Sequence, residues 1–90
     1  MRKIEQAMLT AIDEGRTDWT SGNTRVHAII GGMEVQLHGT TIAVVEDYGI
    51  KVYLPAFRKY PTATTASRLR ALGIRASLKN SQPCIDGKPI

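Results

Sequence analysis

The chain of 90 residues has a single cysteine, few aromatic side chains and no long apolar run. Because Cys84 has no second cysteine to pair with, an internal disulfide and a four-thiolate zinc site are both excluded. No stretch approaches the roughly 18 consecutive apolar residues of a membrane-spanning helix. We therefore expect one domain, residues 1–90, that is held together by packing of a small core and has no membrane partner.

The N-terminal segment lacks the uninterrupted apolar region of a signal peptide. Arg2 and Lys3 are basic, but Glu5 and Gln6 follow at the place where such a region would begin. The sequence therefore predicts a cytoplasmic protein.

Motifs with known catalytic chemistry are also scarce. His27 and His38 are predicted to lie on the polar face of neighbouring strands, but neither Glu34 nor Cys84 has the spacing of a third metal ligand. Nothing in the sequence brings Cys84 to a histidine as nucleophile and base. Gly31-Gly32 lacks the lysine and the helix that follow in a phosphate-binding loop. We predict no catalytic residue, no metal, no cofactor and no enzyme activity.

Acidic residues are nearly absent from the second half of the chain. Residues 1–50 contain four basic and seven acidic residues, whereas residues 51–90 contain eight basic residues and one acidic residue. This asymmetry favours a basic surface that meets phosphate or an acidic protein. Alternatively, the two halves pair with each other in the folded chain.

Residues 24–54 have the most regular pattern. Alternating apolar and polar residues predict strands at about 24–30, 33–37, 40–46 and 50–54. The predicted turns between them are Gly31-Gly32, His38-Gly39 and Glu46 to Gly49. The pattern indicates a four-stranded antiparallel meander with one apolar face, within an α+β fold.

The N-terminal segment predicts an amphipathic helix over residues 2–14. Its apolar stripe is formed by Ile4, Ala7, Met8, Ala11 and Ile12, and Gly15 suits the position after the helix. We expect the stripe to pack on the meander; the alternative is a partner helix. Residues 16–23 predict an irregular loop whose Trp19 closes one end of the core or, alternatively, contacts a partner.

The remaining third of the chain alternates turns with short elements. Pro55 ends the fourth strand, and residues 56–61 predict an irregular link. A second helix is predicted at about 63–72, capped by a threonine and followed by Gly73. A strand at 75–79, a turn at 80–83 and a C-terminal hairpin around Asp86-Gly87 complete the prediction.

Basic and aromatic residues of this third are the candidate binding residues. They are Arg58, Lys59, Tyr60, Arg68, Arg70 and Arg75. Phe57 and Tyr60 could stack on bases beside the cations of the link, or could be tucked beneath it with the cations solvated. The threonine-rich start of the second helix, followed by arginines, could hold an anion.

Several segments resemble small uncharacterised proteins of lytic podophages related to the T7 group. They are residues 2–8, residues 18–24, Leu37-His38-Gly39 with Ile42, and residues 64–72. The resemblance spans residues 2–72 and assigns no catalytic residue. It implies a phage protein expressed to bind and redirect or inhibit host nucleases, polymerases or immune systems.

Two functional hypotheses follow. The first is a non-enzymatic phage accessory protein that binds a host protein or complex in the host cytoplasm, for example as an anti-CRISPR or anti-restriction inhibitor. The second is a small nucleic-acid-binding module that uses the basic residues between Arg58 and Arg75. A small hydrolase or metal enzyme remains as a residual hypothesis. We expect a monomer or a small homo-oligomer.

Overall fold

A five-stranded antiparallel sheet forms the centre of the fold in the computed structural model, which describes residues 1–90. The chain has three helices and eight strands. Their bounds are α1 Lys3–Asp13, β1 Asp18–Ser21, β2 Thr24–Ile29, β3 Gly32–Leu37, β4 Thr40–Glu46, β5 Gly49–Val52, α2 Leu54–Lys59, α3 Ala63–Ala71, β6 Ala76–Lys79, β7 Gln82–Ile85 and β8 Lys88–Pro89. The predicted α+β class is confirmed.

The central sheet contains the predicted meander and one more strand. Its strand order is β1-β2-β3-β4-β5, so each strand pairs with its neighbour in sequence. The prediction of an irregular loop at residues 16–23 is wrong, because β1 pairs with β2 and places Trp19 opposite Val26. Gly22, at a φ of 56°, turns the chain in two residues. The turn-forming residues on both sides had hidden this short strand.

Two of the predicted turns illustrate how the backbone sets the register. His38 and Gly39 both have positive φ, 53° and 78°, as the central residues of a type I′ turn require. The other turn lies one residue earlier than predicted, since Ile29 pairs with Gly32 and leaves Ile30 and Gly31 at its centre. Gly32 belongs to β3, where an added Cβ would lie 2.5 Å from the carbonyl oxygen of Val45.

The hydrophobic core lies between one face of this sheet and all three helices. Its buried members are Met8, Ala11, Val26, Val35, Leu37, Ile42, Ala43, Ala56, Phe57, Ala66, Leu69, Leu72 and Ala76. α1 packs on the sheet as predicted, but its buried residues are Glu5, Met8 and Ala11, while Ala7 is exposed. The helix is therefore rotated so that a carboxylate faces the interior.

The segment after β5 is helical, which corrects the prediction of an irregular link at residues 56–61. Pro55 lies in the first turn of α2, where its missing N–H leaves no helical hydrogen bond unmade. This helix places Ala56 and Phe57 in the core. The predicted second helix is confirmed as α3, with Thr62 as its N-cap.

The C-terminal strands form a separate three-stranded sheet, in the order β6-β7-β8. The predicted strand and hairpin are confirmed, but the turn before β7 consists of Asn80 and Ser81 alone. Cys84 lies on β7 of this sheet and is 1% exposed. None of the helices combines the length and the apolar character that crossing a bilayer would require.

Candidate functional site

The face of the central sheet opposite the helices, here called the open face, carries polar side chains in cross-strand register. It comprises Asp18, Thr20, Arg25, His27, Glu34, Gln36, Thr41, Val44 and Lys51, which alternate with the core residues of the same strands. One row crosses all five strands, from Asp18 through His27 and Glu34 to Val44 and Lys51. The core residues of the three helices all pack against the opposite face of the sheet.

Hydrogen bonds order the polar side chains of the open face. Nε of Arg25 donates to Oδ1 of Asp18 at 2.9 Å, and Nη2 of Arg25 lies 3.3 Å from Oδ2. The same Nη2 lies 3.4 Å from Nδ1 of His27; since a guanidinium can only donate, this is a hydrogen bond when Nδ1 is unprotonated. Gln36 donates to Glu34 at 2.6 Å. These contacts limit the rotamers that the face presents.

Asp18 and Arg25 form the charged pair of the open face, and each shifts the pKa of the other. The hydrogen bond from Arg25 is the main cause that lowers the pKa of Asp18, although slight desolvation opposes it. The hydrogen bond to Asp18 likewise raises the pKa of Arg25. Both groups are therefore charged at neutral pH, in a bidentate geometry that favours a fixed orientation.

One apolar residue lies among these polar ones. Val44 is only 5% exposed although it lies outside the cluster of core residues between sheet and helices, and its neighbours in register are Glu34 and Lys51. The aliphatic stems of these long side chains are able to cover it. Nζ of Lys51 lies 5.8 Å from the ring centroid of Tyr53 at the edge of the same face.

The predicted binding residues Arg58, Lys59 and Tyr60 lie at the C-terminal end of α2 and are exposed. Nζ of Lys59 is 5.5 Å from the ring centroid of Tyr60, within cation–π distance. Phe57 is fully buried, so it is unable to stack on a base. Tyr60 remains the one aromatic side chain of this segment that faces solvent.

Arg70 and Arg75 form a second exposed group where α3 is followed by β6. Nη1 of Arg70 donates to the carbonyl oxygen of Ala76 at 3.0 Å, which holds this side chain against the start of β6. Arg75 is exposed. Five of the six predicted binding residues therefore lie in two separate surface groups. The sixth, Arg68, lies in the protein interior.

Arg68 is not a surface residue, which corrects its prediction as a binding residue. It is 5% exposed, and its Nε donates to Oγ1 of Thr24 at 3.0 Å. Its Nη1 lies 2.8 Å from Oε2 of Glu5. The predicted anion site at the start of α3 therefore lacks this arginine, whose charge is already paired inside the protein.

Glu5 is the partner of Arg68, and no sequence pattern singled it out. Its carboxylate accepts hydrogen bonds from Ser67 Oγ at 2.5 Å, from Arg68 and from the backbone N–H of Arg2 at 3.3 Å. Burial opposes its ionisation, but these hydrogen bonds outweigh burial and lower the pKa of Glu5. Every buried side-chain nitrogen and oxygen has a partner. The network joins α1, α3 and β2, and its role is structural.

The two histidines are not brought together. His27 pairs with Glu34 in the middle of β2, whereas the backbone N–H of His38 bonds to the carbonyl oxygen of Asn23 at the β3–β4 turn. Along β3, His38 lies four residues from Glu34, the partner of His27, which corresponds to a distance on the order of 13 Å. Cys84 belongs to the other sheet. No group of three or more histidine, cysteine, aspartate or glutamate side chains is arranged to hold a metal.

The chain matches the family model described as Kyanoviridae Gp96 protein over residues 1–89. The chain belongs to this phage protein family. The phage origin that the sequence resemblance implied is thereby confirmed, whereas the match does not support a T7-related origin and assigns no activity. No curated protein and no solved structure matches the chain significantly.

The surface of this phage protein also contains a small cavity of about 120 Å³ between the β3–β4 turn and the start of α3. It is lined by Leu37, His38, Ile42, Tyr60, Thr62 and Thr65. The threonine groups are already engaged, because Thr62 caps Thr65 N–H at 3.2 Å. The cavity is too small for a drug-sized ligand, which needs at least about 300 Å³.

Proposed function

We propose that this phage protein is a non-enzymatic accessory protein that binds a host protein in the host cytoplasm and inhibits or redirects it. The observation that supports the proposal is the one-sided construction of the central sheet. All three helices cover one face, while the open face keeps a row of ordered polar side chains available to a partner.

The open face suits a protein partner better than a small molecule. None of its residues lines a cavity, and its five strands of four to seven residues cover roughly 450 Å². A stable protein interface uses about 800 Å² of each partner, so this face and the turns at its edge would supply most of one side. The ordered Arg25 and Glu34 side chains reduce the entropy that binding would cost.

A defence complex is the class of target that we propose, such as a CRISPR or restriction complex. Membership of the Kyanoviridae Gp96 family supports a phage origin, and phage proteins are made inside the host cell, where such complexes act. The net charge of +4 argues against mimicry of DNA, which would need an acidic surface. Inhibition would therefore act through side-chain contacts with the target protein.

The test is affinity capture from a nuclease-treated lysate of a bacterial host. The wild-type protein should retain one host protein in stoichiometric amount. Arg25→Glu should abolish retention, because it removes the contacts with Asp18 and His27 and places a carboxylate beside Asp18. Arg16→Glu is the matched control, since Arg16 forms an exposed pair with Glu14 in the segment between α1 and β1 and is not a member of the open face.

Two results would contradict the proposal. The first is that the wild-type protein retains no stoichiometric host protein. The second is that Arg25→Glu and Arg16→Glu retain it equally well. Circular dichroism of both variants would confirm that each is folded.

Nucleic-acid binding is a second candidate, favoured by the exposed Lys59 and Tyr60 pair on α2. Residues 51–90 keep a surplus of basic residues even after Arg68 is paired with Glu5. Fluorescence anisotropy with single- and double-stranded DNA and RNA should then show an affinity that falls steeply with salt. Absence of binding to all four probes at low salt would exclude this candidate.

A further inference from the structure

Two large apolar side chains project into solvent at one end of the central sheet. Ile30 is 105% exposed and Tyr48 is 103% exposed, so neither contacts the rest of the chain appreciably. They lie in the β2–β3 and β4–β5 turns. The residues at the ends of these turns pair in one row across the four strands, in the order Ile29, Gly32, Glu46 and Gly49. The turn centres are two strand spacings apart, about 10 Å. We call Ile29, Ile30, Glu46, Asp47 and Tyr48 the sheet tip.

Neither the turn conformation nor the packing of the fold requires a large apolar side chain at position 30 or 48. Turn centres favour glycine, asparagine, aspartate, serine and proline, so a β-branched isoleucine at position 30 has no local advantage. Full exposure also means that neither residue contributes burial to stability. Single exposed apolar residues are ordinary, but here two fully exposed ones are neighbours at one edge, with Ile29 38% exposed beside them.

The frame beneath the sheet tip is closely packed. The position of Gly32 accepts no side chain, because a Cβ would meet the carbonyl oxygen of Val45 at 2.5 Å and Cγ1 of Val44 at 3.1 Å. Gly32 therefore presents no side chain between Ile29 and Glu46. A closely packed frame that holds two projecting side chains is suited to specific docking.

The charge of the sheet tip indicates the chemistry of its partner. Glu46 and Asp47 directly precede Tyr48, are exposed and form no ion pair. Neither turn contains a basic residue. An anionic membrane would be repelled by these carboxylates. A protein with an apolar pocket rimmed by lysine or arginine would instead complement both the apolar side chains and the charges.

We infer that the sheet tip is the anchor of this protein on its host target, with Ile30 and Tyr48 inserted into an apolar pocket rimmed by basic residues. The inference rests on the proposed function and specifies which part of the exposed surface holds the partner. Tyrosine at the centre of an interface is a frequent hot spot, because it buries a large area with little loss of side-chain entropy.

The first experiment is photo-crosslinking in nuclease-treated host lysate. p-Benzoylphenylalanine at position 48 should give one adduct with the host protein that the wild type retains. The same probe at Tyr60 is the control, since Tyr60 is 44% exposed but lines the cavity at the opposite end of the sheet. An adduct at Tyr60 and none at position 48 would overturn the inference.

The second experiment measures affinity for that host protein after purification. Tyr48→Ala should weaken binding by about 10-fold or more, whereas Tyr60→Ala should leave it unchanged. Asp47→Asn should slow association several-fold at low salt, and Asp86→Asn, on the other sheet, should not. Asparagine tolerates the positive φ of Asp86, so the control should fold.

The outcomes separate this inference from the proposed function. Undiminished binding by Ile30→Ser and Tyr48→Ala, with binding lost in Arg25→Glu, would overturn the anchor and leave the proposed function standing. If the wild type retains no host protein, both fail. A crosslink between two copies of this chain, or tip-dependent sedimentation with phosphatidylcholine vesicles, would also overturn the inference in favour of another occupant.

Discussion

Nη1 of Arg68 in α3 lies 2.8 Å from Oε2 of Glu5 in α1, and both side chains are almost entirely buried. The two residues are 63 positions apart in the chain, so their contact forms only when the first helix and the third pack together. Desolvation of two charges is costly, and the remaining hydrogen bonds to Ser67 and Thr24 help to offset it. The pair therefore specifies how the two helices meet.

Arg68→Met should destabilise the protein by about 3–5 kcal/mol, because it leaves the carboxylate of Glu5 buried without its charge partner. Urea denaturation followed by circular dichroism measures this loss. Arg75→Met is the control, since Arg75 is exposed and should change stability by no more than about 0.5 kcal/mol. Equal denaturation midpoints for the two variants would contradict the structural role of Arg68.

Replacing both partners should be less harmful than the two single losses combined. Glu5→Met with Arg68→Met removes both charges and puts apolar volume in their place, which in other proteins is often neutral or stabilising. A double-mutant cycle from urea denaturation should give a coupling energy of at least about 1 kcal/mol. Additive losses would mean that Glu5 and Arg68 act independently.

Stability should fall in acid partly because of Glu5. Its pKa in the folded protein lies below the ordinary value of 4.5, so the unfolded chain binds the proton more tightly. The contribution of Glu5 is complete above that ordinary value and is lost as the pH falls through the folded-state pKa. Glu5→Gln should therefore be less stable than the wild type at pH 7, and the difference should shrink below about pH 4.

High salt separates the contribution of Glu5 to the pH dependence of stability from that of the exposed Asp18–Arg25 pair. Asp18 also has a lowered pKa, but its bond with Arg25 is exposed and is screened by added salt. The comparison between Glu5→Gln and the wild type is therefore made by thermal unfolding in high salt. A pH dependence that is the same in both proteins would contradict the assignment to Glu5.

Thr62→Ala should cost about 1 kcal/mol, because Oγ1 of Thr62 accepts the N–H of Thr65 at the start of α3. Thr64→Ala is the matched control within the same turn. Thr64 makes no capping bond, and alanine has the higher helix propensity, so this variant should be as stable as the wild type or more so. Chemical denaturation of both variants measures the difference.

Cys84 should be unreactive in the folded protein, since its side chain lies within the C-terminal sheet at 1% exposure. Ellman's reagent should label it only as fast as the protein unfolds. Ser21→Cys adds an exposed thiol that should react at once, which provides an internal standard. Immediate labelling of Cys84 in the wild type would mean that this sheet opens readily.

The regular elements were predictable where one local pattern dominated. Alternation identified β2 to β5, and the stripe that contains Met8 and Ala11 identified α1. The prediction failed at β1, where turn-forming residues flank a four-residue strand, and at α2, where Pro55 lies in the first turn of a helix that starts soon after β5. In both places the pairing or packing partner, which is distant in sequence, decided between local alternatives.

The candidate sites were less predictable. Arg68 looked like an exposed cation because its immediate neighbours are Ser67 and Leu69 on a mixed helix. A sign of its burial was present, since Thr65, Arg68 and Leu72 share one helical face, as Glu5, Met8 and Ile12 do on α1. Opposite charges within two apolar stripes indicate a buried pair, but the sequence does not say that these two helices meet.

The sequence by itself determined the α+β class, the order of most elements, the positions of most tight turns and the lack of a disulfide, because each depends on residues close together in the chain or on composition. Only the tertiary structure decided which charges are buried, which face of the sheet is left open and which end carries Ile30 and Tyr48. These properties depend on contacts between segments far apart in the chain, since the packing of α1, α2 and α3 on a single face determines what solvent and partners can reach.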